Sequence, residues 1–350
     1  MARFERLDVL NQIIHTGLVP VFYNPDFEIA RQVLESCAAG GARVIEFTNR
    51  GDNAYRTFSD LVQHFSKADP DIILGVGSVV DPETAALYIS SGANFIVGPI
   101  LNAEVAKLCN RRKVAYLPGC GSASEISEAE ELGAEIVKVF PGDSVGGAKF
   151  VKSILGPMPW TRIMPTGGVE STQESIATWF SAGVAAVGIG SSLIREDLIK
   201  LGDYDSITKK TSQLLVWIRQ ARGESLFRGV EHVGLYPTSS TTGKSIADWY
   251  QRVFDFNIKE GRSSILLQGS GPGWVEVMKQ TAEERLHLAV EVTDFEAAVR
   301  ALQAKGFEIE EPTLKPDMKS AYLKEPDPAG NRVHLVWRRA GQQDQGDGKE

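Results

Sequence analysis

The segment AEIVKVFPGD sets Lys138 inside a run of strand-forming apolar residues, where an ammonium group loses solvation. Side chains alternate across a strand, so Ile136, Lys138 and Phe140 share one face, as Val44, Glu46 and Thr48 do in RVIEFT. If both faces point inward, amine and carboxylate converge. Two roles fit such a pair, and the pattern alone leaves them level. One is a structural ion pair. The other is a catalytic set, in which a desolvated amine near a second cation attacks a carbonyl while the carboxylate moves protons. Arg50, just beyond RVIEFT, supplies that second cation.

Two further groupings carry chemistry. PTGG (Pro165 to Gly168) and GIGSS (Gly188 to Ser192) follow apolar runs and precede helical patterns, which would put free backbone N–H groups at helix N-termini, where a phosphate binds. Three of the five histidines, His232, His287 and His334, fall in the last third of the chain at positions repeated between two similar stretches. Glu276 holds in the first stretch the place that His334 holds in the second. Imidazole and carboxylate together suit Zn²⁺, Fe²⁺, Mn²⁺ or Ni²⁺, and unconnected core histidines are the alternative. His15 and His64 lie in helical patterns and are assigned no role.

The elements that must position these groups follow from periodicity. LVPVFY, RVIEFT, DIILGVG, NFIVGP, VAYLPG, EIVKVFP, TRIMPTGG and VAAVGIG alternate with amphipathic segments that close on glycine. Eight parallel βα units predict a (β/α)8 TIM barrel, whose C-terminal rim is where barrel enzymes carry their catalytic groups; an open doubly wound sheet is the alternative. The repeat Gly41-Ala42, Gly92-Ala93, Gly133-Ala134, Gly183-Val184 has the period of such units. From Val230 the pattern becomes strand, helix and strands, twice over, predicting a smaller α+β domain of two βαβββ modules. The expected organisation is a barrel over 1–222, a linker over 223–229, the second domain over 230–339 and a disordered polar tail over 340–350.

Composition sets the outer bounds. In 350 residues, 43% hydrophobic and 23% charged residues are ordinary globular values. A net charge of −8 argues against nucleic-acid and anionic-membrane partners, which need a concentrated positive field. No run approaches the about 18 apolar residues that span a bilayer. The three scattered cysteines, with no CxxC pair, fit a reducing compartment, and the expected location is the cytoplasm.

The motifs VIEFTNR, GVGSV, YLPG, VKVFP and MPTGG, in this order and closed by GDYDSITK, resemble the class I 2-keto-3-deoxy-6-phosphogluconate (KDPG) aldolases, which also cleave 4-hydroxy-2-oxoglutarate (KHG). The resemblance covers roughly residues 5–220. It implies a (β/α)8 barrel, a homotrimer, a small anionic keto-acid substrate, a place in the Entner-Doudoroff route, and no cofactor beyond a lysine Schiff base. Matched residue by residue, Lys138 takes the Schiff-base position, Glu46 the acid/base position and Arg50 the position that holds the pyruvoyl carboxylate. Ser78, Pro99 and Thr166 match positions at the bound keto acid, and Gly167, Gly168, Gly190 and Ser191 match the phosphate site. The implied reaction yields pyruvate and glyceraldehyde 3-phosphate, or pyruvate and glyoxylate from KHG. Alternatives are another 2-keto-3-deoxy acid, phosphogalactonate-derived or unphosphorylated, and a non-catalytic sugar-acid-binding barrel. The sequence departs from the family pattern at VGPI, at Asn49 and at Glu170, which bears on aldehyde-side specificity.

Residues 230 to 338, including DPAGNRVHLV, resemble the vicinal-oxygen-chelate fold of glyoxalases and extradiol dioxygenases. That implies a divalent metal held by His232, Glu276, His287 and His334, with histidine standing last where the family usually has glutamate.

Overall fold

The structure, a computed structural model, describes residues 2–269, 273–282, 286–315 and 317–338. It divides into two compact units, the first ending at Glu224 and the second beginning at Ser225. The expected tail over 340–350 lies outside the described residues.

In the first unit α1 (Arg6–Thr16) precedes β1 (Leu18–Phe22), α2 (Phe27–Ala39), β2 (Val44–Thr48), α3 (Ala54–Ala68), β3 (Ile73–Gly77), α4 (Pro82–Ser90) and β4 (Phe95–Val97). Then come α5 (Ala103–Arg112), β5 (Ala115–Leu117), β6 (Gly119–Cys120), α6 (Ala123–Glu131), β7 (Val137–Val139), α7 (Gly147–Leu155), β8 (Ile163–Pro165), α8 (Gln173–Ser181), β9 (Val187–Ile189), α9 (Glu196–Leu201) and α10 (Tyr204–Ala221). The strands pair in parallel, in the orders β5-β4-β3-β2-β1-β9 and β6-β7-β8. Pro118 separates β5 from β6, and Thr166 bridges to Gly188 beyond β8.

Local chemistry explains the boundaries. Asp26, Asp81, Asn102, Ser122 and Thr172 cap helices by accepting backbone N–H bonds from the first turn. At the other ends the Gly-Ala repeat closes α2, α4 and α6: Gly41, Gly92 and Gly133 take positive φ, and the alanine N–H returns to Cys37, Tyr88 or Ala129. One apolar core, with Val44, Ile73, Phe95, Ile136 and Met164, also takes in Val9, Leu10 and Ile13 of α1. A larger core lies between strands and helices.

The second unit runs β10 (Phe227–Leu235), α11 (Gly243–Phe254), β11 (Asn257–Glu260), β12 (Ser264–Gln268), β13 (Trp274–Met278), β14 (Leu286–Val292), α12 (Phe295–Ala304), β15 (Thr313–Leu314), β16 (Met318–Tyr322) and β17 (Arg332–Arg338). Residues 227–229, expected in a linker, therefore belong to β10. One sheet holds all eight strands, β11-β12-β13-β10-β14-β17-β16-β15. Val275 and Val277 join the core with Ala247 of α11, and Val290, Val292, Leu335 and Trp337 join the core of α12. Strand alternation therefore turns Glu276, His287 and His334 to the other face.

Candidate active site and metal centre

Lys138 sits on β7 with 6% of its side chain exposed, and its Nζ lies 3.6 Å from Oε1 of Glu46, itself 1% exposed, on β2. The same Nζ stands 5.2 Å from the Phe140 ring centroid. Parity therefore delivers what the two strands imply, an amine and a carboxylate meeting in a dry interior. At that separation they share an ion-pair contact rather than a well-formed hydrogen bond. The second carboxylate oxygen, Glu46 Oε2, is buried with no partner among the described residues, and so is the Thr166 hydroxyl. Buried polar atoms are rarely left unbonded, so these two are open to a further polar partner.

Two strand glycines, Gly77 within GVGSV and Gly188 at the head of GIGSS, make the room. A Cβ on Gly77 would collide with Glu46 Oε1, and one on Gly188 would collide with the Thr166 hydroxyl. Glycine inside a strand pattern is itself the signal of a close approach, and both lie in the apolar runs of the sequence. Thr166 is joined to β7 through its N–H to the Val139 carbonyl at 3.0 Å.

Arg50, Ser78 and Pro99 lie on the loops after β2, β3 and β4, at the same end of the parallel strands. The Arg50 guanidinium is exposed and has no partner among the described residues. Ser78 adopts φ 62°, a left-handed conformation uncommon outside glycine, and Pro99 is half-buried. Asn49 points elsewhere: its Oδ1 accepts the Tyr88 hydroxyl at 2.9 Å. That phenol is buried, and burial pushes it up to about 12.

The glycine turns require a correction. Gly167 and Gly168 take positive φ but lie well before α8, whose N-cap is Thr172. Gly190 and Ser191 open a tight turn in which the N–H groups of Leu193 and Ile194 return to the Gly190 carbonyl, ahead of α9. Neither glycine pair forms a helix N-terminus. Instead the two turns are tied to each other: Ser171 Oγ donates to the Ser192 carbonyl at 2.6 Å, and Ser192 Oγ to the Val169 carbonyl at 3.2 Å. Sequence reasoning missed this staple because its partners are set by adjacent loops, not by local pattern.

In the second unit His232, Glu276, His287 and His334 come from the four central strands. His232 Nε2 lies 3.3 Å from His287 Nε2 and 3.3 Å from Glu276 Oε2, and one nitrogen from each of the three imidazoles falls within 4.8 Å of the others. Glu276 Oε2 is 3.4 Å from His287 Nε2, while its Oε1 accepts the Ser264 hydroxyl at 2.6 Å. Register explains the convergence. Gly234 stands opposite both Glu276 and His287, and Ala289 opposite both His232 and His334. A Cβ on Gly234 would strike the His287 ring.

This set fits a divalent metal. Burial, with His232 and His287 nearby, pushes His334 down to about 3, keeping it a neutral donor. Burial opposes ionisation of Glu276, but bonds from His232, His287 and Ser264 outweigh it and hold the carboxylate far below its usual range. Both ring nitrogens of His334 and Nδ1 of His287 are buried without partners among the described residues. Three imidazoles set beside a carboxylate make a transition-metal donor set.

Comparison with known proteins decides the family. The family described as KDPG and KHG aldolase matches residues 9–210. The chain belongs to that family. The KHG/KDPG aldolase of Escherichia coli K12 is 32% identical over 198 residues, 56% of this chain and 90% of that protein. Among solved structures, the KDPG aldolase of Legionella pneumophila, with pyruvate captured as a covalent carbinolamine intermediate, is 28% identical over 58% of this chain and 96% of that one, at a TM-score of 0.54. The 2-keto-3-deoxy-6-phosphogluconate aldolase of Zymomonas mobilis with 3-phosphoglycerate is 25% identical over 59% and 96%, at 0.52. Residues 243–335 match the Glyoxalase/Bleomycin resistance protein/Dioxygenase superfamily. The protein is thus a class I aldolase, a carbon–carbon lyase, carrying a separate sheet-rich glyoxalase-like domain. The aldolase unit has a KDPG-aldolase-like α/β fold built on parallel strands, and no helix among the described residues is long and apolar enough to cross a membrane.

Proposed function

We propose that this aldolase cleaves 2-dehydro-3-deoxy-6-phosphogluconate to pyruvate and glyceraldehyde 3-phosphate, and KHG to pyruvate and glyoxylate. The observation that carries the reading is the buried Lys138 amine 3.6 Å from a buried Glu46 carboxylate, one oxygen of which has no partner among the described residues. Lys138 adds to the C2 carbonyl, and loss of water from the carbinolamine leaves an iminium. Glu46 removes the C4 hydroxyl proton, the C3–C4 pair moves into the iminium to give an enamine, and the aldehyde departs. The enamine takes a proton at C3, and water releases pyruvate and the free lysine. Arg50, at the strand ends and without a partner among the described residues, pairs with the substrate carboxylate. Ser78, Pro99 and Thr166 border the keto acid.

The stapled turns at Gly167, Gly168, Gly190 and Ser191 take the phosphate; that a phosphorylated ligand belongs to this reading is supported by the Zymomonas mobilis enzyme solved with 3-phosphoglycerate. The β1–β9 pairing and the Thr166–Gly188 bridge support an eight-stranded (β/α)8 barrel. The order strand, helix, three strands, repeated at β10 and β14, supports two βαβββ modules over 230–339. His232, Glu276, His287 and His334 would hold a divalent metal, which supplies Lewis-acid activation when bound. Trimeric assembly and a cytoplasmic location belong to the same reading.

Borohydride reduction in the presence of pyruvate tests it. The expected result is one pyruvate-derived adduct on Lys138, absent in Lys138→Ala; an unlabelled lysine in the native protein would sink the Schiff base. A panel of 2-keto-3-deoxy acids scored for pyruvate should favour the phosphorylated ones.

A further inference from the structure

Adjacent residues in a regular strand face opposite sides, so Glu231 and His232 should point away from each other. They do not. In the β10–β14 ladder Val230 pairs with Val290 and His232 with Ala289, leaving Glu231 as an extra residue at a register shift. A bulge of this kind re-aims a side chain. Here it brings Glu231 to His232: Oε2 lies 2.8 Å from His232 Nδ1. The other oxygen, Oε1, accepts Nε–H of Arg338 at 2.6 Å, and that guanidinium lies 4.9 Å from the Trp274 ring centroid. Trp274 is the residue opposite His232 in β13, and Arg338 shares the face of His334 by strand parity. The Glu231 side chain is 12% exposed.

Resting on the metal reading above, we propose that Glu231, turned inward by the bulge and fixed by Arg338, is the positioning residue of the metal centre: it accepts a hydrogen bond from His232 Nδ1–H and leaves Nε2 as the donor atom. The chemistry follows from imidazole, which in its neutral form carries one N–H and one lone pair. A carboxylate on the distal nitrogen sets which is which, locks the ring plane and makes the metal-facing nitrogen more basic. Nothing comparable is seen at the other two histidines, whose Nδ1 atoms have no partner among the described residues. One histidine of the three is thereby oriented in advance.

The test uses the full-length protein and Zn²⁺ alone. Affinity is read by competition with a chromophoric chelator, and the His232 Nδ1–H by nitrogen-15 NMR of the zinc form. Glu231→Ala should weaken Zn²⁺ binding by about 10–100-fold and abolish the protected Nδ1–H signal. Glu231→Gln, which keeps an accepting oxygen and the same size, should lose less affinity and retain the signal. Should the alanine variant lose its fold, the glutamine variant carries the test, with an affinity between wild type and about tenfold weaker and a proton that exchanges faster. Variants matching wild type in both readouts would overturn the inference alone. Wild-type protein that takes up no Zn²⁺ would overturn both it and the metal reading.

Discussion

At the residue scale the aldolase site is a problem of housing charge in a dry interior. Lys138 and Glu46 form an ion pair, yet one carboxylate oxygen has no partner among the described residues, an arrangement suited to proton transfer rather than to a finished ion pair. Asn49 illustrates the opposite case, a polar residue at the site's edge that serves the fold. Asn49→Ala would leave the buried Tyr88 hydroxyl without its acceptor, at about 1 kcal/mol. The melting temperature of the aldolase unit should fall by about 2–4 °C, checked by scanning calorimetry; an unchanged midpoint would show that solvent replaces the amide. Parity along two strands is enough to bring Lys138 and Glu46 together from sequence. The partner of Asn49 is not, because α4 meets the end of β2 only through tertiary packing.

At the scale of elements, the strands are readable as apolar runs and the helices as capped amphipathic segments, so the parallel βα order follows from the chain. What escapes is irregularity. The break at Pro118, the bulge at Glu231 and the position of the glycine turns ahead of their helices depend on which strand or loop lies alongside, and no local pattern records a neighbour. The Ser171–Ser192 staple is one such consequence, and it makes a prediction about specificity. Ser171→Ala frees the Ser192 carbonyl and loosens one turn against the other. KM for a phosphorylated substrate should rise about fivefold, the equivalent of one hydrogen bond of about 1 kcal/mol, while kinetics with the unphosphorylated analogue stay level. Equal losses with both substrates would mean that the staple supports the fold rather than the phosphate.

At the scale of the whole molecule the two compact units have separate cores, and the chemistry proposed for them differs. EDTA should therefore leave pyruvate release unchanged while lowering only one of two thermal transitions, because a metal present at about 100 times its Kd adds about 2.7 kcal/mol to the unit that binds it. Loss of lyase activity in EDTA with the fold intact would instead favour a metal-dependent aldolase. The register around Gly234 and Ala289 has one more consequence, for time rather than affinity. His232 and Glu276 come from one half of the sheet and His287 and His334 from the other, and among the described residues the β10–β14 ladder alone joins the two halves of the sheet. Neither module of the second unit holds all four residues, so the bonds of the centre form only once strands from both modules have found each other. A metal bound there should act as a late latch: at the same saturation the unfolding rate should fall by about 100-fold with the refolding rate unchanged, a contrast readable in a single stopped-flow chevron with and without Zn²⁺.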